Sequence, residues 1–247
     1  MEKGEGTVGS AGAGPSRFYR WAVLVIISLA MFGNYYAYDC VSPLADVLKA
    51  QLGFSDANIG LLNAIYSLPN IVMVLVGGVI IDRIGTRKGT LLFGALCFAG
   101  ALITASTSHL AVMAAGRLLF GVGAESLIVA VTTALAKWFR GKELSFAFGV
   151  NLTIARLGSF AALNSPSWAK PLFESWQLPL LLGVGAATFC IAGPVVYWIL
   201  EAKADRKYAL GAGGETDKVA FKDLFSFGRS YWYVVALSDT FYSAIFP

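Results

Sequence analysis

Charge is scarce in this chain. Only 14% of its 247 residues are Asp, Glu, Lys or Arg, against about 25% in ordinary soluble domains, which argues against a water-soluble fold. Histidine occurs once, so no His-Glu-x-x-His metal helix can be written, and His109, at an outer helix end, belongs to no proton relay. Cysteine occurs three times, and Cys40, Cys97 and Cys190 show no metal-ligand spacing; they read as packing residues. No Gly-x-Ser-x-Gly and no paired-aspartate motif stands in the apolar runs, so an enzyme has no visible machinery. No metal and no cofactor is expected.

What the chain has instead is apolar length. Hydrophobic residues make up 57% of it, mean hydropathy is +0.66, and a spanning helix needs about 20 mostly apolar residues. Segments of that kind run from Trp21 to Val41, Ile59 to Ile81, Thr90 to Thr107, Ala111 to Ala136, Leu144 to Leu163 and Leu178 to Leu200, and a seventh starts at Tyr231. The first is longer than the apolar core of a signal peptide. The expectation is an all-α membrane protein. A Gly-, Ser- and Ala-rich tail over 1–16 is expected to be disordered, and a six-helix bundle to occupy 17–200. A polar linker follows over 201–229, with one surface helix around Lys218 to Phe225, and the start of a seventh helix over 230–247.

Short cytoplasmic loops are enriched in Lys and Arg. With the tail inside, the inner segments hold Lys3, Arg17 and Arg20; Arg83, Arg87 and Lys88; Lys137, Arg140 and Lys142; then Lys203, Arg206, Lys207, Lys218, Lys222 and Arg229. The outer loops hold Lys49 and Lys170. The net charge of +4 is thus a topology signal that puts the amino terminus in the cytoplasm. Cations so dispersed form no basic face for nucleic acid.

Arg117, Glu125 and Arg156 stand deep inside the apolar runs, where such a group marks a functional site by default. Arg117 and Glu125 share the fourth segment, but eight residues mean a rise of about 12 Å and a turn of about 80°, so neither serves the other. Glu125 and, on the fifth segment, Arg156 both lie roughly 18–20 Å from the inner helix ends, near the midplane. The short connection WFRGKE makes the two segments antiparallel neighbours, so Glu125 and Arg156 either form a buried pair or face one cavity. A buried ion pair stabilises poorly beside apolar packing, which favours function over a mere helix lock.

Between the second and third segments stands GGVIIDRIGTRKG, Gly77 to Gly89. Gly78 lets another helix approach closely, Asp82 can accept from basic side chains or cap a helix, and Gly85 permits a tight turn. With Arg83, Arg87 and Lys88, the pattern resembles the signature loop of the major facilitator superfamily, in the place that family puts it. YSLPN (Tyr66 to Asn70), GRLLFGVGAESL (Gly116 to Leu127), KWFRGKEL (Lys137 to Leu144) and ARLGS (Ala155 to Ser159) resemble the branch containing the lysosomal dipeptide uniporter of animals, although the inner loop DRIGTRKG is more compact than the animal one. YSAIFP, at the end, resembles that branch's seventh span.

The resemblance implies alternating access by two six-helix halves with the substrate held between them. It implies dipeptides as the small-molecule substrate, with Glu125 receiving the α-ammonium and Arg156 gripping the carboxylate through its two-pronged donor. The family pattern has twelve spans, so the chain is expected to be an amino-terminal fragment whose partners are the bilayer and a carboxy-terminal half.

Other candidates carry two readings each. Tyr35, Tyr36 and Tyr38, with Asn34, either line a polar cavity or anchor at the outer interface, and Tyr66 joins them as a candidate substrate contact. Asp39 either pairs with Arg117 or lies in water. Pro69 with Asn70 suggests a kink with a side chain able to serve freed backbone groups. Thr153 and Ser159 share the Arg156 face and either meet substrate or bond their own backbone. Asp239 and Tyr242 are candidates on the seventh segment. Glu125 could also carry a proton, but the first span lacks the glutamate-rich signature of proton-coupled peptide transporters, which favours uniport. Rival readings are a carrier of an organic anion or phosphate ester held by Arg117 and Arg156, and, more distantly, a seven-helix receptor. The tail carries no clear acidic dileucine signal, so a lysosomal, plasma or bacterial inner membrane is left open.

Overall fold

A computed structural model describes residues 15–139, 143–208 and 228–245. The chain divides into two compact units, Met1–Leu210 and Gly211–Pro247. The tail before Pro15, the surface helix expected at 218–225, and the side chains of Asp239 and Tyr242 lie outside the described residues.

Polar caps and glycines cut the apolar chain into helices. The Ser16 hydroxyl accepts from the Tyr19 N–H at 3.3 Å and opens α1, Arg17–Asp39. A 3-10 turn at Ser42–Leu44 leads to α2, Ala45–Leu52, which Gly53 ends at φ 67°. Ser55 accepts from the Asn58 N–H at 3.2 Å and opens α3, Asp56–Ala64. A second 3-10 turn, Ile65–Ser67, and then Pro69 separate α3 from α4, Asn70–Ser106. There follow α5 (Leu110–Trp138), α6 (Leu144–Leu163), the short α7 (Ser165–Trp168), a 3-10 turn at Lys170–Glu174, α8 (Gln177–Ala187) and α9 (Phe189–Tyr208). The second unit contains α10, Arg229–Ile245.

Among the described residues, 5 helical stretches are long and apolar enough to cross a membrane. One of them, Asp56–Ser106, doubles back at Gly85, whose φ of 82° and ψ of 163° interrupt α4. Only glycine occupies that backbone region without strain, so the tight turn expected at Gly85 is formed there. Both arms of α4 then lie along α5: Gly77 meets Ser126 on the first arm, and Cys97 meets Gly123 on the second.

Three differences from the sequence expectations follow from packing. The second span is not one helix, because the 3-10 turn and Pro69 break it near its middle. Polar chain after Leu200 continues helically to Tyr208, so residues 201–208 close the bundle instead of opening the linker. Finally, α5 packs chiefly on α4 and α6 on α1, with little contact between α5 and α6 despite their short connection. Gly158 explains the α6 choice: a Cβ there would stand 2.3 Å from the Phe32 carbonyl of α1, so that glycine is what lets the two backbones close.

Candidate functional site

Asn70 is the first residue of α4, placed by the break at Pro69. Its Nδ2 donates to Glu125 Oε1 on α5 at 3.0 Å. Asn70 therefore serves a side chain, not the backbone groups freed by the kink. Glu125 is half-buried near the middle of α5, facing the Asn70 side chain at the start of α4. The partner the fold supplies to Glu125 is thus Asn70 and not Arg156.

Arg117 is 2% exposed and faces carbonyls. Its Nε donates to Leu62 O of α3, Nη1 to Ala37 O and Nη2 to Tyr38 O, all at 3.1 Å. Ala37 and Tyr38 belong to the last turn of α1, and Leu62 to the last turn of α3, where carbonyls lack helical donors and cations are favoured. The guanidinium also lies over the rings of Tyr66 and Phe120, 5.2 and 5.6 Å from their centroids. The sequence offered Asp39 as partner, but among the described residues no direct ion pair joins it to Arg117. Asp39 lies at the end of α1, within electrostatic reach of both Arg117 and Arg156.

Tyrosines run between Arg156 and Arg117. The Arg156 guanidinium lies 5.0 Å from the Tyr35 ring centroid, Tyr35 and Tyr38 are 6.3 Å apart, and the Tyr38 and Tyr66 hydroxyls bond to each other. Tyr66 is held by close backbone packing, since a Cβ on Gly121 would stand 2.0 Å from its carbonyl. Glu125 with Asn70 and Arg156 with Tyr35 are therefore presented from different helix pairs, α4–α5 and α1–α6. Thr153 donates to Gly149 O at 2.9 Å, the backbone alternative of its two readings.

The loop residues behave unevenly. Gly78, expected to admit a helix, has nothing within 4 Å of an added Cβ, and the close approach in this bundle falls instead on Gly77, 2.6 Å from Ser126 Oγ. Neighbouring residues on a helix point about 100° apart, and α5 lies on the Gly77 side. Asp82, Arg83 and Lys88 are exposed. Arg87 turns inward to Glu201 Oε2 at 3.5 Å and to Asp205. Lys137 from α5 meets Glu201 Oε1 at 2.5 Å, and Tyr197 donates to Thr86 at 3.1 Å. Glu201 is 1% exposed. This cluster joins α4, α5 and α9 around a cleft of about 270 Å³. Sequence reasoning missed it by assigning Glu201 and Asp205 to a linker; the available signal was two acids four residues apart, one helical turn, directly continuing an apolar span.

An all-helical bundle of membrane-spanning length, holding isolated charges among apolar helices, is the architecture of an integral multi-pass membrane carrier. The chain belongs to the Major Facilitator Superfamily, which it matches over residues 27–247. It is similar to proteins named lysosomal dipeptide transporter MFSD1. The one from Homo sapiens is 32% identical over 248 residues, covering 94% of this chain and 53% of its own. The one from Danio rerio is 31% identical over 242 residues, 93% of this chain and 52% of its own. The hexuronate transporter of Escherichia coli (strain K12) is 29% identical over 189 residues, 76% of this chain and 42% of its own. The chain spans about half the length of the curated relatives it matches. Its family and relatives are transporters and not enzymes.

Proposed function

We propose that this chain forms the amino-terminal half of a uniporter that moves dipeptides by alternating access, Glu125 binding the α-ammonium and Arg156 the carboxylate. The observation that carries the reading is that the two groups have separate local partners, Asn70 and Tyr35. Opposite charges presented from different helix pairs suit a zwitterion better than an internal salt bridge does. The names of the relatives support the substrate class. The Gly85 turn with Asp82, Arg83, Arg87 and Lys88 serves as the conformational gate loop, the amino terminus is cytoplasmic, and a carboxy-terminal bundle supplies the other cavity wall.

Uptake of labelled dipeptides into proteoliposomes by the full-length protein tests this. Glu125→Gln and Arg156→Lys should each abolish most uptake; wild-type uptake by both would remove the assignment. An imposed pH gradient should leave the rate unchanged for uniport and accelerate it for proton coupling.

A second reading, a carrier of organic anions, draws support from the hexuronate transporter. It would have to rely on Arg156, because each of the three Arg117 nitrogens already donates to a carbonyl and the side chain is buried. Competition by hexuronates instead of dipeptides would favour it.

A further inference from the structure

The bond between Asn70 and Glu125 leaves one atom unexplained. A carboxylate only accepts, so the amide presents its NH2 to Glu125 Oε1, which fixes the carbonyl end on the other side. That carbonyl, Asn70 Oδ1, is buried and has no partner among the described residues. Buried acceptors without a donor are rare in native proteins and point to a group the protein is built to receive. Glu125 itself accepts through Oε1 among the described residues, which leaves Oε2 for a further donor. The site thus presents an unpaired amide oxygen and a carboxylate oxygen on adjoining residues, at a helix break that holds Asn70 in place.

We propose that Asn70 Oδ1 and Glu125 Oε2 form a two-acceptor cradle for a primary ammonium, making Asn70 the residue that selects a free, unsubstituted amino terminus. The inference rests on the dipeptide reading above and adds to it a substrate class. A primary ammonium carries three N–H donors and can satisfy both oxygens, whereas an N,N-dimethylated terminus keeps the charge but has one N–H, enough for Glu125 alone. An N-acylated terminus has no charge and loses the Glu125 attraction as well. Charge recognition is the task of Glu125, and counting hydrogens is the task of Asn70.

The test is competition against uptake of one labelled dipeptide by the full-length protein, comparing an unlabelled dipeptide with its N,N-dimethyl and N-acetyl forms. Wild type should prefer the primary form over the dimethyl form by roughly tenfold or more, the value of one charge-assisted hydrogen bond. Asn70→Leu should bring that ratio close to one by weakening the primary form, while still rejecting the acetyl form. Asn70→Ala should do the same, and provides the reading if the leucine variant does not fold. An unchanged primary-to-dimethyl ratio in either folded variant overturns the cradle and leaves the dipeptide reading standing. Absence of labelled-dipeptide uptake by wild type, with labelled hexuronate taken up in a parallel assay, overturns both.

Discussion

Arg117 Nε and the Leu62 carbonyl meet at 3.1 Å between α5 and the end of α3, where the second span breaks. The other two donors close the end of α1. A planar fork reaching three carbonyls has no lysine equivalent. Arg117→Lys should therefore destabilise the full-length protein by about 2–4 kcal/mol, the cost of leaving buried acceptors unpaired, read as an earlier thermal transition in detergent. Unaltered melting would mean that these bonds contribute nothing.

Gly85 should tolerate no side chain. At φ 82° and ψ 163° an alanine is strained by about 1–3 kcal/mol, and Gly85→Ala should lower the melting temperature. Gly60 of α3, with open space around an added Cβ, is the control: Gly60→Ala should be neutral or stabilise slightly, by up to about 1 kcal/mol.

The charge cluster at the ends of α4, α5 and α9 should be strongly coupled. Lys137→Ala leaves the Glu201 carboxylate buried and short of a cation, at a cost of about 3 kcal/mol or more. Glu201→Gln on that background should recover part of it, and a double-mutant cycle should return a coupling of about 0.5–3 kcal/mol. Arg17→Ala, which breaks an exposed contact to Glu143, should cost about 1 kcal/mol or less. Equal losses from both pairs would contradict the burial argument.

Tyr66 depends on the absence of a side chain at position 121. Gly121→Ala forces the Ile65–Ser67 turn outward, because the new methyl would stand 2.0 Å from the Tyr66 carbonyl. Misplacement on that scale costs roughly a hundredfold in rate in comparable sites, so uptake should drop while the protein still elutes as a folded species. Full uptake by the variant would separate Tyr66 from the transport path.

Much of the fold was legible because its causes are local. Apolar length gives the spans, and α6 occupies Leu144–Leu163, the limits set by the charged connection before it and Asn164 after it. Gly85 was legible as a turn because the residue type itself permits the conformation. The end of the last span was misjudged because Glu201 and Asp205 look like solvated linker residues until Arg87 and Lys137 are brought opposite them. The site was legible in its residue types and not in its pairs. Glu125 and Arg156 stood out as charges in apolar runs, yet the short connection between their helices suggested neighbours that the packing separates.

Residue order alone decided the apolar spans, the turn at Gly85 and the presence of Arg117, Glu125 and Arg156 among apolar residues, since each depends on hydropathy or backbone freedom within a few residues. Tertiary structure decided what those charges touch. Arg117 ended on carbonyls, a group every residue carries and no sequence pattern marks, and Glu125 ended on Asn70 because α4 breaks beside it and α5 packs along both arms. Partners of that kind are set by which helices meet, and glycine gaps such as Gly158 and Gly121 control that meeting only once the surfaces face each other.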